Sequence, residues 1–85
     1  MTTFKIMYWQ EIPVQVVADD GFDEVKLELD ARFMARVDQL AHERGLTDTD
    51  AYLEQWHWSD EREQEGTAED VARAVKQELE AVADG

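Results

Sequence analysis

The spacing of apolar side chains changes once along this chain, at Asp30, and that change limits the folds open to it. Before Asp30 apolar residues recur at every second position, and after it at every third or fourth. A period of two sets alternate side chains on opposite faces of a strand, whereas a period near 3.6 gathers them on one stripe of a helix. Strands that precede helices, rather than alternating with them, specify the α+β class and an antiparallel sheet.

The first strand is expected over about residues 3–9, with Phe4, Ile6 and Tyr8 on one face and Met7 and Trp9 on the other. Gln10-Glu11-Ile12-Pro13 breaks it, because Pro13 has no N–H for a ladder and restrains Ile12 as well. A second strand over about 14–18 contains Val14, Val16 and Val17, and Asp19-Asp20-Gly21 reads as a turn. Val25, Leu27 and Leu29 alternate in a third strand over about 24–29. The expected sheet therefore has three strands, with about three helices packed on one face.

Asp30 stands at an N-cap position, and Phe33, Met34, Val37, Leu40 and Ala41 follow helical spacing until Arg44-Gly45 offers a stop. This gives a helix over about 31–44. Thr47 or Asp48 can cap a second, over about 48–58, with Tyr52, Leu53 and Trp56 as its stripe. Thr67-Ala68-Glu69-Asp70 resembles a capping box ahead of a third, over about 67–83, where Val71, Ala72, Val75, Leu79 and Val82 line up. Ser59–Gly66 reads as a solvated connection. The 85 residues form one domain, 1–85, since a chain this short buries only roughly 60–65% of its unfolded surface.

Charge then narrows the function. Twenty-one acids against eight bases give a net charge of −13, spread over the whole length rather than gathered in a tail. Only three of the bases are lysines, Lys5, Lys26 and Lys76. Such a surface suits molar salt, where the screening length falls to about 3 Å from about 10 Å at 0.1 M, and points to a halophilic organism. A Lys/Arg cluster to grip phosphates or anionic lipid headgroups is missing, which argues against nucleic acid and membrane surfaces as partners. Neither a membrane-length apolar run nor a signal-peptide pattern occurs, so a cytoplasmic location is expected.

Cysteine is absent, which excludes disulfides, thiol chemistry and thiolate metal sites. The two histidines, His42 and His57, stand on different expected helices, and Asp19–Glu24 lacks the order of a calcium loop. No metal or cofactor is expected. Ser59 is the only serine, and no nucleophile elbow or phosphate-cradling glycine loop is present, so no catalytic residue is assigned and the chain is not expected to be an enzyme on its own.

Three tryptophans are the remaining signal. Trp56 falls on the stripe of Tyr52 and Leu53 and reads as core. Trp58, at the end of the expected helix, suits an exposed anchor of the type common at interface hot spots. If one sheet face is bare, either Tyr8 or Trp9 is exposed.

Tyr8-Trp9-Gln10-Glu11-Ile12-Pro13-Val14-Gln15-Val16, Phe33 and Asp50-Ala51-Tyr52-Leu53-Glu54-Gln55-Trp56 together resemble the small domain family described as "virulence factor". They are also similar to a segment of the larger conserved virulence factor C proteins, in which such a module accompanies an Nfu-type N-terminal domain and helical repeats. The resemblance spans roughly residues 5–58 and leaves 59–85 outside as lineage-specific. It implies no catalytic residues. The shared strings would form one surface if Trp9 and Gln15 lie beside Trp56; the alternative is that Trp9, Ile12, Pro13 and Trp56 build the core.

The expectation is a non-catalytic module that binds a protein partner through Tyr8, Trp9, Gln15, Trp56 and Trp58, with self-association left open. The alternative is an accessory subunit of a metabolic or metallocofactor enzyme complex, which the Nfu-type association implies.

Overall fold

A computed structural model describes residues 1–84. The elements run β1 (Thr2–Trp9), β2 (Ile12–Asp19), β3 (Glu24–Glu28), α1 (Ala31–Glu43), α2 (Thr49–Leu53), β4 (Trp56–Trp58), β5 (Arg62–Gln64) and α3 (Ala68–Asp84). The class is α+β, as the change of period requires. The antiparallel sheet has five strands rather than three, with β1 central: β2 and then β3 lie on one side, while β4 and β5 share its other edge.

Main-chain hydrogen bonding explains the two extra strands. With β2 on one side, the second edge of β1 would present unpaired N–H and C=O groups to solvent. Residues 56–64 fill it. Trp56, His57 and Trp58 pair with Trp9, Tyr8 and Met7, and Arg62, Glu63 and Gln64 pair with Phe4, Thr3 and Thr2. The register slips by one residue between these blocks, where the Ile6 N–H donates to Ser59 Oγ at 2.9 Å and the Ser59 N–H to the Ile6 carbonyl at 2.8 Å. The expected helix over 48–58 accordingly ends at Leu53. Its continuation would forfeit this edge, and an alternating aromatic triplet suits a strand. The stretch expected as a solvated connection holds β5.

Strand β2 begins at Ile12 and includes Pro13 rather than starting after it. The connection from β1 is the tight Gln10-Glu11 turn, with Gln10 at a φ of 52°. Pro13 is accommodated where the ladder slips between Met7 and Tyr8, a position that spares its missing donor.

Phe4 and Ile6 of β1, Val16 and Ala18 of β2, and Val25 and Leu27 of β3 pack in one cluster with Ala68, Val71, Ala72, Val75 and Leu79 of α3. Helix α3 thus covers one sheet face. Helix α1 instead crosses the end of the sheet: Phe33, near its start, shares a groove with Leu79 and Val82, and Ala41 and His42, near its end, share a hollow with Tyr52. Arg44 then clasps the β1–β2 turn, bonding Glu11 at 2.7 and 3.0 Å and also Gln10.

Helix ends follow the sequence signals. The Asp30 side chain accepts from the Arg32 N–H at 3.1 Å, Gly45 takes a φ of 68° past the end of α1, and Thr67 Oγ1 accepts from the Asp70 N–H at 3.1 Å. Asp20 does more than turn the chain. One carboxylate oxygen accepts from the Phe22 and Asp23 N–H groups at 2.9 and 2.8 Å, and the other reaches the Ala68 N–H at 3.3 Å, joining the β2–β3 turn to the start of α3. Glu80 ties the far end, accepting from the Asp30 N–H at 2.9 Å and pairing with Lys76 at 3.0 Å.

Candidate functional site

Alternation along β1 and its pairing with β4 put Met7, Trp9, Trp56 and Trp58 on the sheet face opposite α3. The same logic brings Lys5 of β1, Gln15 and Val17 of β2, and Lys26 of β3 to that face. At the end near the β1–β2 turn the face is covered. The Trp9 ring lies 5.6 Å from that of Tyr52, Tyr52 meets Trp56 edge-on at 6.1 Å, and the Trp9 Nε1–H donates to the Tyr52 carbonyl at 3.0 Å. Trp9 is fully buried. Burial, and secondarily the Asp38 carboxylate, hold the Tyr52 phenol above its usual value of 10.

The other end is open. Trp58 is 43% exposed, and the Lys5 ammonium sits over its ring, 4.4 Å from the centroid. Lys5, Gln15, Val17, Glu24, Lys26 and Trp58 together border a shallow hollow of about 170 Å³. Two of the three lysines therefore meet on one surface of a strongly acidic molecule. Lys26 pairs loosely with Glu24 at 3.6 Å, while Lys5 makes no ion pair among the described residues.

The five residues expected to contact a partner are thus separated. Trp9, buried under Tyr52, is removed from the exposed surface. Trp56 is half-buried beside it, in β4 rather than on the expected helix stripe. Trp9 and Trp56 are register partners, so those shared strings do meet, but inside the fold. Tyr8 points to the other face, where it stacks on His57 with centroids 5.7 Å apart. Only Gln15 and Trp58 come together on the open patch. Leu53, assigned to the apolar stripe, is instead exposed. Lys5, Met7, Val17 and Lys26 were missed, although their odd positions in β1 and the pairing of β2 with β3 carry the signal.

Residues 7–84 match the family described as "Virulence factor". The chain belongs to the virulence factor family. The match reaches beyond the expected limit at residue 58, so β5 and α3 are part of what this family member shares and not a lineage-specific addition. It begins at Met7 and takes in every residue of the covered tryptophan cluster. Neither the curated proteins nor the solved structures yield a match. Among the described residues, no helix of this virulence factor family member is long and apolar enough to cross a membrane, and no three His, Asp or Glu side chains gather as a metal site.

Proposed function

We propose that this virulence factor family member is a non-catalytic protein-interaction module whose contact surface is the open sheet face around Trp58. The observation that carries the reading is the half-exposed Trp58 ring beneath Lys5, at the end of the sheet face away from Tyr52. An indole left in solvent on a flat, partly apolar patch is a ready hot spot. The stacked ammonium holds the ring in place at a cost of only about 0.5–1 kcal/mol if it is displaced. Gln15 supplies a donor and an acceptor, and Lys5 and Lys26 set the charge preference. The partner that fits is a protein presenting an apolar side chain flanked by carboxylates, since the rest of this surface would repel them.

The dispersed acidic charge supports work in the cytoplasm of a halophile. Circular dichroism is expected to show the fold strengthening as KCl rises from tens of millimolar to molar, and a salt-insensitive unfolding transition would contradict this. The binding reading is tested by parallel affinity capture with the wild-type chain, Trp58→Ala and Lys5→Glu at molar KCl. A protein retained by the wild type and lost from both variants, whose spectra remain those of the folded chain, supports it. Equal capture by all three, or bait alone from all three, overturns it.

A further inference from the structure

A second surface, on the side of the molecule that carries α3, has a different chemistry. Where the β1–β2 turn, α1 and α3 converge, a groove of about 420 Å³ is lined by Tyr8, Ile12, Pro13, Phe33, Leu79 and Val82. Phe33 and Ile12 are buried and form a packed floor, whereas Val82 is 78% exposed. The volume falls in the roughly 300–1,000 Å³ range of small-molecule sites.

Two charged residues border this apolar groove, Glu11 and Arg36. They are not equivalent. Glu11 is held by Arg44 through two bonds at 2.7 and 3.0 Å, and that guanidinium keeps its carboxyl below the ordinary value of 4.5. Arg36 adds to this through space but forms no ion pair of its own among the described residues, although the chain carries 21 acids. The direct bonds to Glu11 thus come from Arg44, and the donors of the Arg36 guanidinium stay available at the border of an apolar trough.

From this juxtaposition we infer that the groove binds a small amphipathic anion, a medium-chain alkanoate, with the alkyl chain along Phe33, Leu79 and Val82 and the carboxylate on Arg36. A guanidinium and a carboxylate match in shape as well as charge, and the pair forms at contact distance, where salt screens less than it does the long-range repulsion from the acidic surface. The inference is independent of the Trp58 surface, which lies on the opposite sheet face.

The test is an amide chemical-shift titration of the wild-type chain with octanoate and, separately, 1-octanol, repeated on Arg36→Gln and Trp58→Ala. Octanoate is expected to move the Phe33, Arg36 and Leu79 signals saturably. Arg36→Gln should weaken octanoate about tenfold, the scale of one lost charge-assisted hydrogen bond, and leave 1-octanol unchanged. Trp58→Ala should alter neither. Arg36 is exposed, so its replacement leaves the core intact. The inference is overturned if octanoate shifts no groove signal, if it moves the Lys5 and Trp58 signals instead, or if Arg36→Gln fails to separate the acid from the alcohol.

Discussion

Trp9 and Trp58 stand on the same face of one β-ladder, yet one is sealed and the other is open. Trp9 pairs with Trp56 and lies under Tyr52 of α2; Trp58 pairs with Met7, one pleat along, and carries the Lys5 ammonium over its ring. Part of the difference comes from α2, Thr49–Leu53, whose Tyr52 covers the Trp9 end of the ladder. The same residue type on the same sheet surface is therefore structural at one end and available for contact at the other. Burial, and not residue identity, divides the roles.

That comparison can be broken most directly by truncating each ring. Trp9→Ala is expected to destabilise the fold by about 3–5 kcal/mol, the range for large aromatic truncations in a packed core. For a small domain this removes much of the total stability, and chemical denaturation in molar KCl should place the variant's midpoint far below the wild type's. A shift no larger than that of Trp58→Ala would erase the distinction between the two ends.

Acid should act next, and on the edges of the architecture rather than on either tryptophan. The N–H groups of Asp23 and Phe22 hold the Asp20 carboxyl below its ordinary 3.8, the Asp30 N–H and then Lys76 hold Glu80 below 4.5, and Arg44 does the same for Glu11. Each depressed group contributes stability that is fully present above its ordinary value and is lost as pH falls through the lower folded value. Stability at fixed high salt should thus be flat from neutral pH to about 5 and decline below 4.5. Replacing Asp20 by Asn should flatten part of that decline, and an unchanged acid limb in the variant would deny Asp20 its joining role.

Smaller effects refine the contrast. Thr67→Ala removes the oxygen that caps α3 and should cost about 1 kcal/mol. Trp58→Ala should cost clearly less than Trp9→Ala, since 43% of the residue is already in solvent, while abolishing partner capture. A Trp58→Ala variant as damaged as Trp9→Ala would show the open patch to be structural.

The sequence made some of this plain and hid the rest for physical reasons. The first three strands, α1 and α3 were legible because each buries a periodic apolar stripe, and the caps at Asp30 and Thr67 were legible because short polar side chains in front of such stripes have few other uses. Strand β5 was not legible. All three of its residues are exposed, so its side chains carry no pattern; it exists because its main chain satisfies the edge of β1. Helix α2 was overextended because Tyr52 and Trp56 do touch, at a spacing that a helix and a turn into a strand can both provide. At the site, Trp58 is legible from its chemistry and Gln15 from the family resemblance. Lys5 and Lys26 were passed over because a lysine in an acidic chain reads as one more solvated charge until the register shows where two of them converge.

The central place of β1 also sets an order of events at the ribosome. Its first neighbour, β2, follows after two residues, but the partners of its other edge lie at positions 56–64. At roughly 5–20 residues per second, some two to ten seconds separate the emergence of Trp9 from that of Trp56. Until then the second edge of β1 has no partner strand, and Trp9 lacks its cover. The acidic residues already translated, a net −7 by residue 58, favour the solubility of such an unfinished chain.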